Sequence, residues 1–253
     1  MDWKVLLEQA PSGGMTYLGW LASGLFWTLA VSACAWVIAF AVGSVVGVAR
    51  TVPLAAARLA ATAYVELFRN IPLLVQMFLW YFVMPEVIPK DWGDWLKQDM
   101  PNLLTLPFAA QFSLWEFTAA VLCLGLYTAS RVAEQVRSGI QSLPRGQTSA
   151  GLAMGLTLPQ VYRYVLLPMA FRIVIPPLTS ESMNIVKNSS VAFAVSIAEL
   201  TFFAMQAQEE TARGIEIYLA VTFLYFVSAF AVNRVAAAIE KRVRVPGMIG
   251  GAK

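Results

Sequence analysis

Between Glu8 and Arg50 the chain carries no charged residue, and residues 18–49 read as one long apolar helix. About 20 consecutive apolar residues are enough to cross the hydrocarbon core of a bilayer, so this stretch predicts a transmembrane span. It follows a polar stretch containing Glu8 and Pro11 and is too long for the short core of a cleavable signal peptide, so it is expected to remain as a helix. Within it, Gly43 and Gly47 form a small-xxx-small pattern that lets another helix approach closely. The whole chain fits lipid as its solvent, with 58% hydrophobic and 13% charged residues in 253.

The remaining charges are sparse and placed. A second span, 59–84, holds Glu66, Arg69, Pro72 and Gln76; a third covers 114–130, a fourth 173–197 and a fifth 217–233. The segment 85–113 shifts to Pro, Trp, Asp and Lys and reads as a loop with some interfacial helix, flanked by tryptophans that favour the membrane surface. Residues 138–160 read as a water-exposed segment with Gly and Pro, within a cytoplasmic connection over about 138–168. The expected fold is therefore an all-α membrane protein of five transmembrane helices, forming one transmembrane domain over 1–253.

Orientation follows from the loops, because Lys and Arg stay on the cytoplasmic side. With the C-terminus inside, twelve basic residues (Arg50, Arg58, Arg131, Arg137, Arg145, Arg163, Arg172, Arg234, Lys241, Arg242, Arg244 and Lys253) face four outside, Lys4, Lys90, Lys97 and Arg213. The expected arrangement is N-terminus periplasmic and C-terminus cytoplasmic, with only Arg69 and Lys187 of the 18 basic residues left inside the bilayer. The net charge of +3 is too even to suggest nucleic acid. Histidine is absent, which removes the commonest general base and metal ligand, and Cys34 and Cys123 read as packing thiols within apolar stretches.

The cytoplasmic segment reads Gly146-Gln147-Thr148-Ser149-Ala150-Gly151-Leu152-Ala153-Met154-Gly155, then nine residues, then Val165-Leu166-Leu167-Pro168. It resembles the loop of ABC-importer permeases, whose pattern is Glu-Ala-Ala, three residues, Gly, nine residues, then Ile-x-Leu-Pro. The Gly and Leu-Pro spacing is met in full, while Ser149 and Gly151 replace the Glu and the second Ala. Glu66-Leu67-Phe68-Arg69-Asn70-Ile71-Pro72-Leu73-Leu74-Val75-Gln76 and Pro177-Leu178-Thr179-Ser180-Glu181, with Asn184 and Lys187, are similar to the second and fourth spans of permeases for polar amino acids. Stretches 64–70, 141–147 and 153–160 look especially like members that carry glutamate and aspartate.

The resemblance implies a type I ABC importer permease fold and a coupling loop in which Ser149, Ala150, Gly151, Gly155, Leu167 and Pro168 meet a partner ATPase. It also implies partners: a dimer of ATP-binding subunits, a second, homologous permease and a periplasmic amino-acid-binding protein. No Gly-x-x-x-x-Gly-Lys-Ser/Thr occurs in the chain, so ATP and Mg are expected on the partner ATPase and no cofactor on this subunit. Permeases for another polar amino acid remain an alternative, as does a proton-coupled secondary transporter using Glu66 and Glu181, which five spans without internal repeat disfavour.

Counting helix rise of about 1.5 Å per residue from the span ends puts Arg69, Gln76, Glu181, Asn184 and Lys187 at mid-depth. Charges there must be paired or hydrated. Two readings are open: Glu66 with Arg69, and Glu181 with Lys187 bridged by Asn184, form neutral networks, or Arg69 or Lys187 meets a substrate carboxylate while Gln76, Ser180 and Asn184 donate hydrogen bonds. The pair Pro176-Pro177 is expected to break or kink the fourth span below this cluster.

Overall fold

The computed structural model describes residues 1–11, 14–100 and 113–243. Arg244 and Lys253 of the charge comparison, and 101–112 of the expected loop, lie outside the described residues. Every named element is helical: α1 (Tyr17–Ala49), α2 (Ala55–Asn70), α3 (Leu73–Phe78), α4 (Met84–Val87), α5 (Lys90–Asp94), α6 (Leu114–Gln141), α7 (Arg145–Ala153), α8 (Leu158–Val161), α9 (Leu167–Asn188), α10 (Leu200–Thr211) and α11 (Gly214–Val243). Short 3₁₀ or π turns, among them Leu79–Val83, Tyr162–Leu166 and Ser189–Val195, join some of them.

Three helical stretches differ from the expectations for the spans. The second span is not one helix: α2 ends at Asn70, Pro72 takes extended backbone (φ −56°, ψ 137°), and α3 starts at Leu73. Proline lacks the N–H that would continue the ladder and disfavours helical backbone at the residue before it, so the chain resets at Ile71-Pro72. The third span does not stop at Ser130, because α6 continues for 28 residues through Arg131, Glu134 and Arg137. Its start carries a reciprocal cap in which Ser113 N–H donates to Glu116 Oε2 (2.7 Å) and Glu116 N–H donates to Ser113 Oγ (3.2 Å). Conversely, α9 runs unbroken through Pro176 and Pro177. The ring fixes φ near the helical value, and in hydrocarbon an opened helix would leave more carbonyls unsatisfied than the two donors already missing.

Among the described residues, the stretches Tyr17–Ala49, Leu158–Val195 and Gly214–Arg242 are each long and apolar enough to cross a membrane, and Ala55–Asn70 with Leu73–Val87 adds a fourth if the bent pair is one span. The polar turns of α6 keep it below that level.

The chain forms two compact units. Unit one comprises Met1–Val37, Ile71–Gly125 and Asn184–Phe230. Its core holds Trp20, Trp27, Met77, Leu124 and Leu200, all essentially buried. Gly24 on α1 lies so close to α10 that a Cβ there would sit 2.7 Å from Leu200 Cα. Cys123 is buried here as expected of a packing thiol, whereas Cys34 lies on an exposed face of α1.

Unit two comprises Ile38–Asn70, Leu126–Met183 and Ala231–Lys253. Gly43 and Gly47 make its close helix contact: a Cβ on Gly43 would meet Ala129 O at 2.7 Å, and one on Gly47 would meet Ala133 O at 2.7 Å. Without a hydrophobic drive between helices in lipid, such close approach of α1 to α6 supplies the dispersion that holds them. Tyr64 Oη donates to Leu126 O (2.7 Å), tying α2 to the same α6.

Candidate functional site

The motif-bearing segment 145–168 lies wholly in unit two. Pro144, with ψ 132°, starts α7, which ends in a Schellman turn: Gly155 N–H donates to Leu152 O (3.0 Å) and Leu156 N–H to Gly151 O (3.1 Å). Gly155 has φ +84°, a left-handed conformation that strains any residue with a Cβ. Gly151 is buried against Val161, where a Cβ would fall 2.9 Å from Val161 Cγ2, so glycine suits this position of the motif. Ser149 and Ala150 are exposed, as is Pro168, while Leu167 is half-buried. Tyr162 Oη donates to Thr51 O (2.9 Å), joining the segment to the turn between α1 and α2. A cleft of about 560 Å³ opens between them, lined by Thr51, Gln141, Arg145, Thr148 and Tyr162. The chemistry of this region is mechanical: a short helix with a fixed turn and an exposed small-residue face, strapped to the spans.

Of the six residues expected on a substrate pathway, Arg69, Ser180 and Glu181 belong to unit two and Gln76, Asn184 and Lys187 to unit one. In unit two the expected pairing is corrected. Glu181, 5% exposed, receives Arg131 Nε at 2.8 Å rather than pairing with Lys187 through Asn184. The reason is the extra length of α6, which carries Arg131 inside the packed region instead of at its end. Arg69 does not pair with Glu66, its neighbour one turn back; it lies 3.7 Å from Glu134 of α6, and Glu66 is exposed. Glu134 also accepts from Arg50 Nη1 (2.5 Å) and Arg137 Nη2 (3.0 Å). Arg50, Glu134, Arg137 and Arg131 were not singled out from the sequence as partners of these residues. Their i, i+3, i+6 spacing at 131, 134 and 137 was the available signal, since it marks one face of a continuing helix. Ser180 is exposed.

In unit one, Gln76 is buried and its Nε2 donates to Ile71 O (2.8 Å), satisfying a carbonyl at the helix break. Asn184 is half-buried, and Lys187 is exposed in the last turn of α9, where a cation complements the helix dipole. The unit's most buried carboxylate, Glu199, was not singled out by sequence. It caps α10 by accepting from Phe202 N–H (2.9 Å) and also accepts from Tyr225 Oη (2.7 Å) and Thr28 Oγ1 (3.3 Å). Among the described residues no group of three or more His, Cys, Asp or Glu side chains could hold a metal ion.

The family described as binding-protein-dependent transport system inner membrane component matches residues 39–245. The glutamate/aspartate import permease protein GltJ of Escherichia coli (strain K12) is 49% identical over 251 residues, covering 99% of this chain and 98% of the relative. The glutamate/aspartate import permease protein GltK of Escherichia coli O6:H1 is 27% identical, covering 95% and 97%. Among solved structures, an amino acid ABC transporter crystallised with histidines has a TM-score of 0.72 at 28% identity, covering 89% of this chain and 95% of that one. The chain belongs to the binding-protein-dependent transport system inner membrane components, as a multi-pass, non-catalytic permease subunit of an ABC importer that leaves ATP hydrolysis to a partner ATPase.

Proposed function

We propose that this chain is one of two different, homologous permeases of an importer that carries glutamate and aspartate from periplasm to cytoplasm by alternating access. The observation that carries the reading is the 49% identity to GltJ over 99% of the chain; the weaker full-length likeness to GltK supplies the kind of second permease it pairs with. A periplasmic binding protein delivers the amino acid, a dimer of ATPases binds ATP and Mg, and this subunit needs no cofactor. Membership in an ATP-driven family replaces the proton-coupled alternative. Vanadate-sensitive, ATP-dependent uptake of labelled glutamate in proteoliposomes tests the whole reading, and uptake driven by a proton gradient without ATP would refute it.

In this mechanism ATP-driven closure moves α7 with Ser149, Ala150, Gly151 and Gly155, and Leu167-Pro168 pass the movement into α9. The strap from Tyr162 to Thr51 supports that role, because it gives the segment a hydrogen-bonded grip on the turn after α1. Gly155→Leu is expected to leave the protein inserted while reducing ATPase co-purification and uptake, since the left-handed turn that ends α7 would be strained by about 1–2 kcal/mol. Unchanged uptake would remove the coupling role.

Arg69, Gln76, Ser180, Glu181, Asn184 and Lys187 are the proposed pathway residues, with Gln76 and Glu181 also holding the fold. The N-terminus is placed in the periplasm and the C-terminus in the cytoplasm. Cysteines introduced at Trp92 and Arg145, in a background lacking Cys34 and Cys123, test that orientation: an impermeant reagent should reach position 92 alone in intact cells.

A further inference from the structure

Three guanidinium groups, on Arg50, Arg69 and Arg137, surround the single carboxylate of Glu134, with distances of 2.5, 3.7 and 3.0 Å. Taken together they carry three positive charges against one negative. Two details mark this as more than a structural pair. Arg50 is nine-tenths buried, with a side-chain exposure of 10%, yet its Nε has no hydrogen-bond partner. A buried guanidinium donor left without an acceptor is expensive, so the cluster is not fully satisfied by Glu134 alone. Arg69, by contrast, is half exposed and stands at 3.7 Å, close enough to feel Glu134 but beyond a good charge-assisted hydrogen bond.

We infer that the Arg50, Arg69, Arg137 and Glu134 cluster is a carboxylate-binding station for the transported amino acid. Arg69 makes the contact, Arg50 and Arg137 hold Glu134, and Glu134 acts as a resident carboxylate that occupies the cations when no substrate is present. Planar guanidinium forks recognise carboxylates in two-point geometry, which a lysine at the same place would not reproduce. The inference rests on the reading of this importer as a carrier of acidic amino acids, whose second carboxylate is the group the station would take. It assigns Arg69 a partner in the empty state that i,i+3 spacing with Glu66 did not provide.

The test uses the purified complex of this chain with its permease and ATPase partners, in neutral-lipid nanodiscs and without binding protein, titrated with glutamate and with glutamine while thermal stability is followed. Arg69→Gln is expected to weaken the apparent glutamate affinity about tenfold or more, the loss of one charge-assisted hydrogen bond, and to leave the glutamine response unchanged. Arg69→Lys should recover part of that loss. Glu134→Gln removes the resident competitor and should tighten glutamate binding, a sign opposite to that of a merely structural ion pair. Should Glu134→Gln fail to assemble, Glu134→Asp, with its shorter reach, carries the same expectation.

A glutamate response in Arg69→Gln within about twofold of the parent would overturn the station. So would a response that appears only with anionic lipid, which would assign the cations to a headgroup, or an Arg69→Gln variant that loses its ATPase partner while binding glutamate normally. Uptake by the parent importer in proteoliposomes separates this from the broader reading. No glutamate uptake by the parent sinks the acidic-amino-acid assignment itself, whereas parental uptake with an unchanged Arg69→Gln titration sinks only the station.

Discussion

Glu199 in unit one and Glu181 in unit two are both buried carboxylates, with exposures of 0% and 5%, and they are satisfied in opposite ways. Glu199 is held by a tyrosine hydroxyl, a threonine hydroxyl and a backbone N–H, with no cation within 4 Å among the described residues. Glu181 is held by the guanidinium of Arg131. Neutral donors fix a carboxylate and an N-terminus in one geometry. A guanidinium holds charge, which can be handed to another anion when the helices shift. Glu181 is thus held by a charge-assisted pair and Glu199 by neutral donors alone.

Separating charge from geometry breaks or sharpens this contrast. Arg131→Met is expected to have the largest effect, because it strands the Glu181 carboxylate in a buried site. Breaking a buried pair on one side typically costs about 3–5 kcal/mol, and the partial exposure of Arg131 places this one at the low end. Thermal unfolding of the purified complex measures it, and adding Glu181→Leu should recover most of the loss. If the double variant is no more stable than Arg131→Met alone, Glu181 is not satisfied through Arg131, and the contrast fails.

Glu199 should respond to shape rather than charge. Glu199→Ala removes a helix cap and leaves buried hydroxyls without an acceptor, a loss of about 2 kcal/mol, whereas Glu199→Gln retains an acceptor oxygen and should stay within about 1 kcal/mol of the parent. Equal damage from both variants would show that Glu199 matters as a charge after all.

The smallest effect belongs to an exposed pair. Arg213 donates to Asp2 at 2.6 Å and holds its carboxyl below the ordinary aspartate value of about 3.9, aided by the Lys4 N–H. A carboxyl with a lowered folded-state pKa contributes stability that is present above the unfolded value and disappears as pH falls through the folded one. The melting midpoint of the parent should fall slightly more steeply than that of Asp2→Asn between about pH 4 and pH 2. Parallel curves would show that the tie between the N-terminal segment and the turn joining α10 to α11 contributes nothing.

Prolines show how much of the fold could be read in advance. Pro72 breaks the helix and the pair Pro176-Pro177 does not, although the pair removes twice as many donors. Composition marked both places, but which one opens depends on where the freed carbonyl finds a donor. At the first break Gln76 provides one to Ile71, and that contact belongs to packing, not to spacing. The candidate site divides the same way. The position of Gly155 at the end of α7 was legible from its spacing, because a left-handed helix end is a local demand. The partners of Arg69 and Glu181 were not, because local i,i+3 geometry offered Glu66 while α6 brought Glu134 and Arg131 into reach.

The sequence by itself determined the solvent, the helical class, the helix-ending glycine of segment 145–168 and the close-contact glycines of α1, since hydropathy, the i,i+4 period and glycine conformation act over one or two turns. Only the tertiary structure decided how far α6 extends as a packed helix, which cation meets which carboxylate, and that three guanidiniums converge on Glu134. Apart from the local Arg137–Glu134 pair, those choices depend on contacts between residues 50 or more positions apart, such as Arg50 with Glu134, 84 residues away, and helix periodicity reports which residues share a face but not which helix that face will meet.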